Sequence, residues 1–572
     1  MIFKIFNNCL KLFEFFEIKQ KFEFYLIIFY MVIYSLLEII SIGLLIPFVT
    51  IILSPDKIFE FQIIKNLFFI EELKQINLQL FFTLFFISAI LISNVFRIFV
   101  VYKVSLYSKM IPLNLSTKIY KNIINTNYKD FKNKNSSQMV SIIVDKMDSL
   151  SGVLYNFLNA SAALIASLGI IVFLFFLNFK MALFCFIVGV SIYFMIGFLV
   201  KKTLDKNSEI LKSSSFNRVK HIKETFGSIK QLIIDNKQSL LTKIFNSYEL
   251  NYRKAQFIHQ FFNTSPRFIV EALGIIFISF MILILSQVLK YEPILIISTV
   301  GIIAYSFQKL LPNFNSIYVC YTSLVNYSTF IEEVYFNLKE FKLIETKIKD
   351  NNDENQIYFK DKIELKNISF KYNNNGTEII KSKSFEIKKG SMVFLKGETG
   401  SGKTTFLDIL MGLLKPTEGS MKVDGKLITD LNVNFWQKNI SHVPQDIFLL
   451  DATIKQNIAF NFKDDDMNNQ EIIKSAKLAE IHDFIDSLPK KYETRVGEDG
   501  KLLSGGQKQR IGIARALYRN KEILTLDEAT SALDITTEEK ILNNLKKLEG
   551  ITLIQITHRD TSKLGYDKII NF

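Results

Sequence analysis

Cysteine is nearly absent from these 572 residues: Cys9, Cys185 and Cys320 occur with no paired spacing. That excludes a disulfide framework and a thiolate metal site. A cleavable leader is not expected either. The N-terminal stretch "MIFKIFNNCLKLFEFFEIKQ" is amphipathic and lysine-dotted, without an h-region followed by a small-residue cleavage site. The first long apolar run is therefore expected to remain as a membrane span. Acidic residues are the minority sign, 55 against 69 Lys and Arg, for a net charge of +14. Such a balance suits nucleic acid or a membrane. The basic residues gather in two hydrophilic loops between apolar spans, which favours the membrane and predicts no nucleic-acid partner.

Apolar residues are abundant: 49% of the chain is hydrophobic and 54 residues are Phe. A helix needs about 20 mostly apolar residues to cross hydrocarbon. Six stretches qualify, at 24–53, 78–105, 153–177, 181–200, 264–288 and 292–322. Loop 106–150 carries seven lysines and loop 201–262 twelve Lys or Arg, against three lysines in 54–77. The N-terminus and both long loops are thus predicted on the cytoplasmic side. Both loops also have helical texture, so the spans should project beyond the bilayer. Residues 57–72 form a short amphipathic segment on the outer side, read as a connecting or interfacial helix. The division predicted is a six-helix transmembrane domain over 1–322, a linker over 323–358 and an α/β domain over 359–572, where β-branched runs alternate with helical patterns.

In the α/β part, "GETGSGKT" fits G-x-x-x-x-G-K-[ST] between a strand-like run and a helix. Gly397, Glu398, Thr399, Gly400, Ser401, Gly402, Lys403, Thr404 and Thr405 form the expected phosphate cradle. Its backbone N–H groups and helix N-terminus favour anions. Lys403 would reach the β- and γ-phosphates, and Thr404 would hold Mg²⁺. Asp527 and Glu528 end the β-like run of "EILTLDEATSALD", where Mg²⁺ needs a carboxylate and an attacking water a base. "LLSGGQKQR" offers a second anion site at a helix N-terminus, with Leu503, Ser504, Gly505, Gly506 and Gln507. "SHVPQD" supplies Gln445 and "QITHRD" supplies His558.

The order of cradle, "VPQD", "LSGGQ", "LDEATSALD" and "THR" resembles the nucleotide-binding domain of ABC transporters, and with six preceding spans the whole chain resembles an exporter half-transporter. The resemblance implies ATP and Mg²⁺ as cofactors. It places Tyr372 on adenine, Gln445 and Asp527 at the metal, Glu528 as general base, His558 as switch residue and Asp534 at a dimer contact. It also implies a homodimer in which each ATP lies between the cradle of one chain and the "LSGGQ" of the other. Three departures are visible: Thr525 interrupts the apolar run before Asp527, Asp560 replaces an apolar residue, and the chain ends at Phe572, where a shortened sheet edge is expected.

Ionisable groups inside spans are costly and therefore functional candidates. Arg97, Arg267 and Lys309 fall at similar depth near the inner leaflet; Arg97 lies about 28 Å and Lys309 about 25 Å below the outer start of its span. They read either as snorkelling side chains, with Glu271 neutralising Arg267, or as a basic ring for an anionic headgroup. Glu38 is a further intramembrane carboxylate and a candidate partner. "EIISIGLLIPFVT", "SPRFIVEALG" and "KLLPNFNSIYVCYTSL" are similar to the lipid-linked-oligosaccharide flippases of bacterial protein glycosylation. That resemblance implies a polyprenyl-pyrophosphate glycan as substrate and a bacterial cytoplasmic membrane as location. A lipid or multidrug exporter with the same ATPase is the alternative. A secondary transporter would need no "LSGGQ", and an intact Glu528 argues against a channel with slow hydrolysis.

Overall fold

The computed structural model describes residues 11–53, 78–177, 179–288, 293–349, 356–372, 377–557 and 566–572. The chain divides into two compact units: Met1–Thr126 with Asn133–Ile344, and Asn127–Lys132 with Glu345–Phe572. The segment 57–72 lies outside the described residues.

The first unit is helical. Its long helices are α1 (Ile18–Gly43), α2 (Leu78–Ile124), α3 (Met147–Leu177), α4 (Phe179–Gly227), α5 (Gln238–Leu283) and α6 (Pro293–Asn326). Helix α1 starts at a capping box: the Gln20 side chain accepts from the Glu17 backbone N–H at 2.9 Å, and the Glu17 side chain accepts from the N–H of Gln20. Helix α2 has 47 residues, about 70 Å at the helical rise, more than twice the hydrocarbon thickness. Long helices therefore continue well past the expected spans. Among the described residues, Ile18–Val49, Gln79–Ile124, Ser136–Phe176 and Gln238–Leu283 are long and apolar enough to cross a membrane. The stretch 181–200 lies on α4, and the described part of 292–322, residues 293–322, lies on α6. Many apolar side chains on these helices point outward, Leu84, Leu91, Val95 and Ile98 among them. Lipid tolerates such a surface and water does not.

Helices α1, α2, α3 and α6 pack together, while α4 and α5 pair with each other and meet α6. Polar ties join them below the spans. A π-helical turn at Ile142–Lys146 sets consecutive charges on different neighbours. Asp145 accepts from Ser215 at 2.6 Å and faces Arg218 at 3.5 Å. Lys146, almost fully buried, lies 2.7 Å from Glu333 on α7 (Ser328–Lys349), which falls within the segment read from sequence as linker.

The second unit holds two sheets. An antiparallel one has the order β2-β1-β4-β5, and a parallel one the order β6-β7-β8-β3-β9. Their strands are β1 (Lys362–Phe370), β2 (Ile380–Lys388), β3 (Met392–Lys396), β4 (Glu418–Val423), β5 (Lys426–Leu427), β6 (Ile440–Val443), β7 (Ile523–Asp527), β8 (Thr552–Ile556) and β9 (Lys568–Asn571). Every residue of β7 and β8 is buried, as expected for parallel strands covered on both faces. Register places Leu395, Asp527 and Ile556 at one carboxyl edge, since Ile556 pairs with both others. Ligands of parallel α/β sheets bind at such an edge. The terminal residues form an edge strand: β9 runs parallel to β3, and the Phe572 N–H donates to Lys396 O at 2.8 Å.

Thr525 sits in β7, fully buried but satisfied. Its hydroxyl oxygen lies 2.9 Å from His442 Nδ1 on β6 and 3.2 Å from Ser441 O. Burial lowers the His442 pKa to about 4, so the ring is neutral at physiological pH.

Candidate functional site

Strand β3 ends at Lys396 and helix α8 (Lys403–Leu410) begins six residues after Gly397; the loop between them is the cradle. Gly400 and Gly402 have φ of +85° and +97°, a region that favours glycine. At Gly402 a Cβ would stand 3.0 Å from Ile379 Cγ2, so strain and sterics both demand glycine. The loop is thereby bent round the N-terminus of α8, whose free N–H groups face the concavity. Lys403 is buried, and its Nζ donates to the carbonyls of Gly397 at 2.7 Å and Glu398 at 2.8 Å. Its charge is thus held over the loop. Among the described residues Ser401 Oγ is buried with no hydrogen-bond partner, a polar atom that a phosphate oxygen would satisfy.

The carboxylates arrive from β7. Thr404 Oγ1 lies 3.5 Å from Asp527 Oδ1, and Gln445 Nε2 donates to Glu528 Oε2 at 2.8 Å. Burial raises the Asp527 pKa, and Thr404 partly offsets the rise. Glu528 has φ of +49°, a strained backbone for a non-glycine residue, held by its N–H to Ile556 O at 3.0 Å. Thr404, Asp527 and Gln445 offer hard oxygen ligands, few enough to leave room for phosphate oxygens and water. Mg²⁺ is characteristically held that way, and the residues fit it.

Tyr372 approaches from the end of β1, with its hydroxyl 3.4 Å from Thr405 Oγ1 and its ring edge-on to Phe370. Lys132 lies 5.1 Å from the centroid of the Tyr372 ring. Lys132 belongs to the short segment grouped with this unit, 240 residues earlier in sequence. No local pattern could have signalled it.

Ser504 caps helix α9 (Gly505–Tyr518) in a reciprocal box. Its Oγ accepts from the Gln507 N–H at 3.2 Å, and Gln507 Oε1 accepts from the Ser504 N–H at 2.8 Å. Ser504 and Gly505 are exposed and Leu503 is half-buried. Gly506 is closely packed, since a Cβ there would meet Ala532 O at 3.1 Å. Gln509, which sequence reasoning passed over, ties this helix to the loop after Glu528: it donates to Ser531 Oγ at 3.1 Å and accepts from the Ala532 N–H at 2.9 Å. Asp534 caps α10 (Ile535–Lys546), accepting from the Thr537 N–H at 2.9 Å. The Thr536 hydroxyl, which also donates to it, and this N–H hold its carboxyl well below the usual range. His558 and Asp560 lie outside the described residues.

In the helical unit the three candidate cations separate. Lys309 Nζ lies 3.5 Å from Glu38 Oε1, and the Arg97 guanidinium stands 5.9 Å from the Tyr34 ring centroid. Since Tyr34 and Glu38 are one turn apart on α1, these two cations flank one stretch of that helix. Arg267 instead pairs with Glu271 on its own helix, Nε to Oε1 at 2.7 Å, with the arginine exposed and the glutamate half-buried.

The ABC transporter family model matches residues 380–531. The ATP-dependent lipid A-core flippase of Saccharophagus degradans is 30% identical over 478 residues, which cover 82% of this chain and 78% of that protein. The leukotoxin translocation ATP-binding protein of Mannheimia glucosida is 42% identical over 209 residues, only 36% of this chain and 29% of that protein. A solved structure of a bacterial Atm1-family ABC exporter with ATP bound superposes with a TM-score of 0.76 at 23% identity, covering 95% of this chain and 92% of the other. The match to the leukotoxin protein thus spans less than a third of that relative's length. The class is a helical transmembrane domain followed by an α/β ABC ATPase domain. More narrowly, the chain belongs to the ABC transporter family, with the exporter fold of a half-transporter.

Proposed function

We propose that two copies of this chain form an ATP-driven exporter that flips a lipid-linked oligosaccharide, headed by polyprenyl pyrophosphate, across a bacterial cytoplasmic membrane. The observation that carries the ATPase half is the convergence of Lys403, Thr404, Asp527, Gln445 and Glu528 at one sheet edge. In this reading Lys403 holds the terminal phosphates and Tyr372 stacks on the base. Thr404, Asp527 and Gln445 hold Mg²⁺, which supplies charge neutralisation at the phosphates. Glu528 takes a proton from the attacking water, and Gln445 orients its carboxylate. His558 is the proposed switch residue. Exposed Ser504 and Gly505 present their helix N-terminus to the nucleotide held by the other copy. Closed and open pairs then alternate with nucleotide occupancy, and the membrane helices alternate access with them.

The substrate half is supported by Arg97 and Lys309 flanking one turn of α1. Pyrophosphate is the chemistry such a pair recognises. Arg267, paired on another helix, is assigned to the same headgroup path. The alternative, a lipid or multidrug exporter, is favoured by the lipid A-core flippase's match over most of both chains. Reconstitution into liposomes tests both, with ATPase and flipping measured for polyprenyl-pyrophosphate glycans, lipid A and a drug panel. Arg97→Ala and Lys309→Ala should abolish glycan flipping. Untouched flipping in both variants, or stimulation by apolar drugs alone, contradicts the headgroup reading.

A further inference from the structure

One buried carboxylate in the helical unit faces the proposed headgroup cations. Glu38 is 2% exposed, and Lys309 of α6 reaches its Oε1 at 3.5 Å. Among the described residues its second oxygen, Oε2, is buried without a hydrogen-bond partner, although Tyr34 interacts with the carboxylate. Around it stand Tyr34, one turn earlier on α1, and Tyr305 of α6, whose ring lies 5.8 Å from Lys309 Nζ. The Arg97 guanidinium of α2 lies 5.9 Å from the Tyr34 ring centroid. Two cations and one carboxylate leave a single net positive charge in this cluster.

Two features separate Glu38 from an ordinary structural counter-ion. A carboxylate buried for stability alone gains by satisfying both oxygens, and a buried acceptor left bare is costly. Glu38 leaves one bare. Among the described residues it also pairs with one of the two cations and not the other, so the cluster keeps an attraction for a further anion while Lys309 is already engaged.

We propose that Glu38 is a resident counter-anion that competes with the phosphate of the transported headgroup for Lys309. The inference rests on the headgroup reading above and assigns the residue that limits how tightly that headgroup is held. When a pyrophosphate oxygen takes the Lys309 ammonium, Glu38 stays beside it as a like charge. Binding is therefore weaker than two cations alone would give, and release is faster. A transport site needs both, because a ligand held too firmly is not delivered.

The test is a binding titration on the nucleotide-free full chain in phosphatidylcholine nanodiscs carrying polyprenyl pyrophosphate, with inorganic pyrophosphate as a soluble arm. Glu38→Gln should tighten lipid binding about tenfold. In flipping assays the same variant should lower KM and kcat together, as slowed release requires. Glu38→Asp, which keeps the charge but draws it back from Lys309, should tighten binding to a smaller degree and remains readable if Glu38→Gln folds poorly. In the Lys309→Met background, Glu38→Gln should produce no tightening, because the contested cation is gone. Unchanged or weaker lipid binding in Glu38→Gln and Glu38→Asp, with only thermal stability lost, makes the pair structural and overturns the proposal. A wild-type chain that binds lipid through Arg97 and Lys309 yet ignores both Glu38 variants overturns the role of Glu38 alone. A wild-type chain that binds no polyprenyl pyrophosphate overturns the headgroup reading and this inference with it. Tightening seen with inorganic pyrophosphate but not with the lipid overturns the lipid headgroup as the competitor.

Discussion

Lowering the pH from 8 to 5 should destabilise the ABC domain through His442, and the effect can be isolated. His442 is held by burial with a pKa near 4, against 6.5 for the free side chain. The unfolded chain therefore binds a proton through pH 6.5 that the folded domain refuses until about pH 4. Stability from the neutral ring is complete above pH 6.5 and is lost as pH falls toward 4. Linkage between those two values gives a loss of about 2 kcal/mol at pH 5 relative to pH 8. Asp408 opposes it: burial pushes its carboxyl up to about 6, so its contribution is present at low pH and lost as pH rises. The raw slope of the wild type mixes the two. The informative quantity is the difference between wild type and His442→Gln, a variant that cannot titrate. The assay is built in, since the chain has one tryptophan, Trp436, fully buried in the ABC domain with its Nε1–H on Leu410 O at 2.7 Å. Urea unfolding of the full chain, followed by its fluorescence, thus reports this domain. Wild type should lose about 2 kcal/mol more than His442→Gln between pH 8 and pH 5. Parallel slopes for the two proteins would refute the buried neutral histidine.

Three further outcomes are expected. Glu333→Ala strands the buried Lys146 ammonium and should cost about 3–5 kcal/mol in thermal stability, whereas Lys146→Met/Glu333→Leu should be near neutral; equal losses in both would show that the ion pair is not the cause. Gly402→Ala forces a Cβ to 3.0 Å from Ile379 at φ +97° and should abolish nucleotide binding measured with a fluorescent ATP analogue; retained affinity contradicts the cradle. Glu528→Gln keeps shape but removes the base and should slow steady-state ATP hydrolysis about 10²–10⁴-fold while nucleotide stays bound.

What the sequence displayed and what it hid differ by a physical rule. The cradle was legible because Gly400 and Gly402 must adopt positive φ, so chemistry and local backbone demand the same letters. Ser504 and Gln507 were legible for a like reason, as a cap and its reciprocal partner lie three residues apart. Apolar runs long enough to span hydrocarbon announced the helical domain by composition. Contacts between distant segments left no such trace. Glu38 was a candidate partner for one of the intramembrane cations, but it stands 271 residues from Lys309, and only packing of α1 against α6 shows that these two pair. Thr525 looked like an interruption in an apolar strand until β6 brought His442 beside it. Gln509 reads as one more polar residue on a helix, yet it ties down the loop that follows Glu528, the proposed general base. The separation of Arg267 from Arg97 and Lys309 was hidden too, since equal depth along a span says nothing about which helix faces which.

The central claim is that nucleotide is clamped between two chains, the cradle of one against the "LSGGQ" segment of the other. It is tested by co-expressing two single-cysteine chains, Ser401→Cys and Leu503→Cys, with Cys9, Cys185 and Cys320 replaced by serine in both. The account predicts an oxidative cross-link of two-chain mass that forms with ATP in the Glu528→Gln background and not without nucleotide. A cross-link of one-chain mass when both cysteines are placed in a single polypeptide, with none between the separate chains, would contradict it.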